Sequence, residues 1–105
     1  MNKYYNDFFD LLNKIRERPG VYILEPSLTR LRYLIDGYMI CSFKYHNEVN
    51  FLGNFQEFVE KRYFNDISVY CNHWSDIILF CTATERDAFY TFFELLDEYK
   101  ASINK

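Results

Sequence analysis

Large apolar side chains recur at three- and four-residue intervals along most of this chain, and little interrupts them. Tyr5, Phe8, Phe9, Leu12 and Ile15 form a first set. Leu28, Leu31, Leu34, Ile35, Tyr38 and Met39 form a second, and Phe55, Phe58, Val59 and Tyr63 a third. Trp74, Ile77, Ile78 and Cys81 make a fourth; Ala88, Phe89, Phe92, Leu95, Leu96 and Tyr99 make a fifth. A repeat of about 3.6 residues puts each set on one face of an α-helix. Glycine (3) and proline (2) are scarce in the 105 residues, so breakers are few. The pattern predicts an all-α chain: a compact bundle of about five amphipathic helices in one globular domain, residues 1–105.

The breakers and caps set the expected boundaries. Lys14, Arg16 and Arg18 load the last turns of the first helix with positive charge, which suits a helix C-terminus. Pro19 stops that helix and Gly20 supplies the turn. Ser27 is a suitable N-cap for the second helix, which should run to about Phe43. Gly37 sits inside it at a cost of about 1 kcal/mol relative to alanine, and close packing of another helix would explain it. His46–Phe51 reads as loop. Gly53-Asn54 then opens the third helix, with Asn54 and Glu57 spaced like a capping box. The fourth helix spans roughly His73–Thr82. Thr84 caps the fifth, Glu85–Ala101. Two short runs, Val21–Leu24 and Ile67–Cys71, fit brief strands, so the competing architecture is α+β with two very short strands.

The rings exceed what a core this small can hold. Phe 11, Tyr 10 and Trp 1 fall in one short chain. A domain of this size buries roughly 60–70% of its unfolded surface. The helix stripes claim Phe8, Phe9, Phe55, Phe58, Phe89 and Phe92, while Tyr33, Tyr45 and Tyr90 lie off them. The expected division is a phenylalanine core with part of the tyrosine set on the surface.

Charge narrows the function classes. The net charge is −3, and it is uneven. Residues 1–62 hold 9 basic and 8 acidic groups, whereas residues 63–105 hold 3 and 7. An acidic domain is a poor non-specific binder of nucleic acid or of an anionic membrane. Cys41, Cys71 and Cys81 are odd in number and widely spaced, which is no disulfide framework. Cys41 and Cys81 fall in apolar runs and read as small buried thiols. Met1–Asn6 is polar and lacks a signal-peptide core, and no run reaches the length of a transmembrane helix. These features point to a cytoplasmic protein.

Catalytic chemistry finds no pattern. His46 and His73 are the only histidines, and Cys71-Asn72-His73 offers two ligands where a structural zinc takes four. No serine lies in a nucleophile elbow, and the glycines stand too far apart for a phosphate loop. The expectation is no enzyme, no metal and no cofactor. Arg30-Leu31-Arg32-Tyr33 and Lys61-Arg62-Tyr63-Phe64 mix base and ring, so a small nucleic-acid-binding or regulatory module is the alternative.

A protein-binding surface fits better. Asp87, Glu94, Asp97 and Glu98 share the polar face of the last helix, with Asp76 nearby in sequence. Tyr90 and Tyr99 could accompany them, since tyrosine supplies contact area at small entropic cost. A second surface, around Tyr33, Tyr45 and Tyr63, is the competing location. The spare rings would also serve a homodimer.

Several segments together resemble a known group. They are Arg18-Pro19-Gly20-Val21-Tyr22, Ser27-Leu28, Leu31-Arg32, Asp36-Gly37-Tyr38, Phe55–Val59, Trp74–Phe80 and Ala88–Tyr99. In this order they resemble small immunity proteins of bacterial polymorphic toxin and contact-dependent growth inhibition systems. The resemblance covers most of the chain. It implies a noncatalytic protein that binds a cognate protein toxin, often a nuclease with a basic cleft, and occludes its active site.

Overall fold

The computed structural model describes residues 3–41, 51–63 and 72–103, with side chains from Asp7 onward. Six helices and no strands occur among them: α1 (Lys3–Glu17), α2 (Pro19–Ile23), α3 (Leu28–Cys41), α4 (Phe51–Arg62), α5 (Trp74–Phe80) and α6 (Glu85–Ile103). The fold is all-α, as the periodicity predicts.

The last helix organises the rest because its apolar stripe is long and wide. Ala88, Phe89, Phe92, Phe93, Leu95, Leu96 and Tyr99 are all buried along it. It packs against α3, α4 and α5, while α1 joins α2 and α3 joins both α2 and α5. Rings carry much of the core. Phe55 of α4 stacks on Phe51 at 5.3 Å and meets Trp74, Phe92 and Tyr99 edge-on at 5.5, 5.5 and 5.7 Å. Such offset and edge contacts follow from the ring quadrupole and add to area burial. Phe8 and Phe9 bring α1 onto Phe51 at 5.0 and 5.5 Å. Arg16 and Lys100 then lay their cations over the rings of Phe93 and Phe9.

Two expected caps are present. The Arg30 amide donates to Ser27 Oγ at 3.3 Å, and the Asp87 amide donates to Thr84 Oγ1 at 3.0 Å. Other boundaries differ. Val21–Leu24 is not a strand: Pro19 ends α1 and then occupies the first turn of α2, where its missing N–H costs nothing. Gly20 lies within α2, and no described glycine has a positive φ. The reversal falls instead on Leu24, at φ 77°. Among the described residues Gly37 packs against no other element: a Cβ built there meets no atom within 4 Å outside its own helix backbone. Phe51 is no loop residue but the buried first residue of α4, so Asn54 lies inside the helix rather than at a capping box. The buried-thiol expectation fails for both described cysteines, since Cys41 and Cys81 are exposed beyond the last well-packed turns of α3 and α5. Ile67–Cys71, Phe43, Tyr45 and His46 lie outside the described residues.

Candidate functional site

A helix of 19 residues with one buried face leaves a long outer face, and α6 makes that face acidic. Asp87, Tyr90, Glu94 and Asp97 follow one another at spacings of three, four and three residues, and Glu98 lies one turn beyond Glu94. On a helix these are surface neighbours. All five are exposed. The structure therefore brings together five of the seven residues named from sequence.

Their electrostatics divide the ribbon. At its C-terminal end the charge is already answered. Arg16 of α1 pairs with Asp97 at 3.1 Å, and Arg62 of α4 approaches Glu98 at 3.6 Å. At its N-terminal end Asp87 and Glu94 make no ion pair among the described residues. Tyr90 stands between them with the Arg86 guanidinium 5.5 Å from its ring centroid. The open part of the ribbon is thus two carboxylates flanking a half-exposed ring.

The other two named residues lie elsewhere. Tyr99 is a correction: it is only 5% exposed. Its ring packs edge-on against Phe51, Phe55 and Phe58 and belongs to the core. Asp76 is on α5, where it lines a shallow concavity of about 340 Å³ with Asn72, Leu79 and Phe80. Phe80 is the most exposed phenylalanine described, at 73%. On the competing surface, Tyr33 is exposed and Tyr63 half-buried.

The basic clusters are largely occupied within the fold. Arg30 faces Glu25 at 3.7 Å, Arg32 faces Asp36 at 3.6 Å, and Arg62 has Glu98. Among the described residues, no three of His, Cys, Asp and Glu converge as metal ligands. No helix among them is long and apolar enough to cross a membrane.

Two polar side chains gain roles that the sequence did not signal. Glu85, on α6, reaches the start of α3. Its carboxylate accepts from Ser27 Oγ (3.1 Å), the Thr29 amide (2.8 Å) and Thr29 Oγ1 (2.6 Å). Desolvation pushes its pKa up, but the bonds from Thr29, Ser27 and the Leu28 amide outweigh it and hold the carboxyl below its ordinary range. Gln56, on α4, brackets the entry to α5: its Oε1 accepts from the Trp74 amide at 2.7 Å, and its Nε2 donates to the Asn72 carbonyl at 2.8 Å. Partners 56–58 and 16–18 residues apart leave no local spacing to read.

No family model matches this chain, and no curated protein or solved structure matches it significantly. The resemblance to immunity proteins rests on the quoted sequence segments.

Proposed function

We propose that this chain is an immunity protein: it binds a cognate bacterial toxin, a nuclease with a basic cleft, and neutralises it by covering the active site. The observation that carries the reading is the unanswered part of the α6 ribbon, Asp87–Tyr90–Glu94. Two exposed carboxylates about two turns apart are opposite in sign to a basic cleft and so complement it. The ring between them adds contact area where interfaces are most sensitive to truncation. Nucleic acid and this ribbon are both negative, so they would compete for the toxin's basic cleft. Charge of this kind chiefly speeds capture and selects the partner.

The mechanism is occlusion and needs no chemistry from this chain. Its partner is a protein, and its place is the cytoplasm of the cell that must survive the toxin. The alternative, a nucleic-acid-binding module built on Arg30, Arg32, Lys61 and Arg62, is less supported because carboxylates stand beside three of those four. An enzyme built on His73 is less supported too, since that ring caps a helix.

The test is to mix the protein with the toxin domain encoded next to it. A stable 1:1 complex and loss of toxin activity are expected. No complex at micromolar concentrations of both proteins rejects the proposal, and salt-sensitive binding of labelled RNA or DNA by this chain alone favours the alternative.

A further inference from the structure

The short helix α5 begins at a histidine that can cap it in only one protonation state. His73 has the extended backbone of an N-cap, and its Nδ1 accepts from the Ser75 amide at 3.1 Å. An imidazole nitrogen that accepts a hydrogen bond carries no proton, so the capping form is the neutral ring with its hydrogen on Nε2. The Ser75 hydroxyl lies 2.9 Å from the same Nδ1. Ser75 itself is buried, and its amide has few other ways to be satisfied.

Protonation reverses this arrangement. An imidazolium carries hydrogens on both nitrogens and can only donate. Nδ1–H would then give its hydrogen to Ser75 Oγ, while the Ser75 amide loses its acceptor. A buried N–H without a partner is costly. A cation at a helix N-terminus is also opposed by the amides there.

The surroundings do not reward the charge enough to offset that loss. Burial is the leading cause that pushes the His73 pKa below the ordinary 6.5, and Arg32 of α3 adds to it. Asp36 of α3 and Asp76 of α5 act in the opposite direction and are outweighed. On α4, Glu60 accepts from Gln56 Nε2 at 2.8 Å.

We propose that His73 is a proton-operated clasp on α5: neutral, it closes the first turn of the helix; protonated, it releases that turn. That turn carries Asp76, which lines the shallow concavity together with Asn72, Leu79 and Phe80. Gln56 still grips Asn72 and Trp74 from α4, so the opening is confined to the first turn. The sign follows from linkage. A folded-state pKa below the ordinary value means that the unfolded chain binds more protons near it. The clasp's stabilisation is complete above about pH 6.5 and is lost as pH falls through the folded-state value.

The experiment uses the intact chain and does not depend on any partner. Nitrogen shifts of His73 in 15N-labelled protein report tautomer and titration together. Trp74, the chain's one tryptophan, lies with its ring 5.1 Å from His73 and reports the first turn by fluorescence. The expected results are hydrogen on Nε2 at pH 8, a His73 midpoint below 6.5, and a fluorescence change with the same midpoint. His73→Asn, which caps without titrating in this range, should abolish the fluorescence transition and keep the thermal midpoint at pH 7.5. His73→Ser serves as a second capping variant that also cannot titrate. His46→Ala should leave the transition in place. Hydrogen on Nδ1 at pH 8, a midpoint at or above 6.5, or an unchanged transition in both capping variants would overturn the proposal.

Discussion

At the scale of single residues, two backbone positions run against the physics of their neighbours. Gly37 lies within α3, is exposed and meets no other element among the described residues. The sequence argued for a close neighbour because glycine inside a helix is costly, but pattern alone cannot show that the space beside it is open. Gly37→Ala should therefore raise stability by about 0.5–1 kcal/mol, because it lowers the entropy of the unfolded chain without a clash. Urea midpoints at constant slope would show it, and a loss of stability would mean that a partner chain or another segment occupies that face. Leu24 is the converse case. It holds φ 77° although it is 72% exposed, so burial does not compensate for the conformation. With ψ −43° the backbone lies near the rare γ-turn rather than the left-handed helix; such a conformation costs a non-glycine residue about 1–2 kcal/mol, of which the greater unfolded entropy of glycine offsets about 0.5–1 kcal/mol. Leu24→Gly should gain about 0.5–1 kcal/mol net, and Leu24→Val should lose stability, both read from thermal or urea unfolding.

At the scale of elements, helices were legible wherever apolar spacing persisted for three turns or more. The long stripes of α1, α3, α4 and α6 needed no tertiary information, and the Ser27 and Thr84 caps follow from local hydrogen bonding. The five residues of α2 were not legible, because an apolar run that short has the same appearance as a strand or a buried helical turn. Cys81 was misplaced for a related reason: α5 ends at Phe80, so the helical spacing that would have turned the thiol inward stops one residue early. What ties elements together was wholly hidden. Glu85 sits in the first turn of α6 and also accepts from the first turn of α3, so one carboxylate serves two helix N-termini. Glu85→Ala should cost about 1–2 kcal/mol, as for loss of a cap. Its pH signature has a definite sign. A carboxyl held below its ordinary value of 4.5 stabilises the fold above that pH, and the contribution disappears as pH falls through the depressed folded-state value. The difference in unfolding free energy between the parent and Glu85→Gln should be largest near neutrality and shrink toward pH 3. A constant difference across that range would show that the charge of Glu85 is not what holds α3.

At the scale of the whole molecule, the division of rings was readable and the division of charge was not. Of the phenylalanines at helix spacing, Phe8, Phe9, Phe55, Phe89 and Phe92 did become core and Phe58 packs half-buried at its edge, while Tyr33 and Tyr90 did reach the surface. Tyr99 went inward because it continues the stripe of Leu95 and Leu96, which outweighs its polar end. The acidic face of α6 looked uniform in sequence because the bases that answer part of it come from α1 and α4, far along the chain. That difference separates a binding role from a structural one. Asp97 and Glu98 tie three helices together through exposed pairs, each worth about 0–1 kcal/mol. Reversing both to lysine also sets like charges beside Arg16 and Arg62, so a loss of about 1–2 kcal/mol is expected, smaller in high salt where such charges are screened. Glu94 has no such partner among the described residues, and Glu94→Lys should alter stability by less than about 0.5 kcal/mol. Asp87→Lys should fall slightly more, by about 0.3–1 kcal/mol, because Asp87 lies in the first turn of α6. Association with the proposed toxin partner should respond in the opposite order. Glu94→Lys and Asp87→Lys should slow association at least tenfold at low salt, with the difference closing as salt rises, because steering by exposed charge acts on the on-rate. Stopped-flow association alongside thermal unfolding measures both quantities on the same three variants, the double reversal of Asp97 and Glu98, Glu94→Lys and Asp87→Lys. If the double reversal of Asp97 and Glu98 slows association more than Asp87→Lys and Glu94→Lys do, then the capturing surface lies at the paired end of the helix, and the ribbon's open carboxylates are only a solvated face.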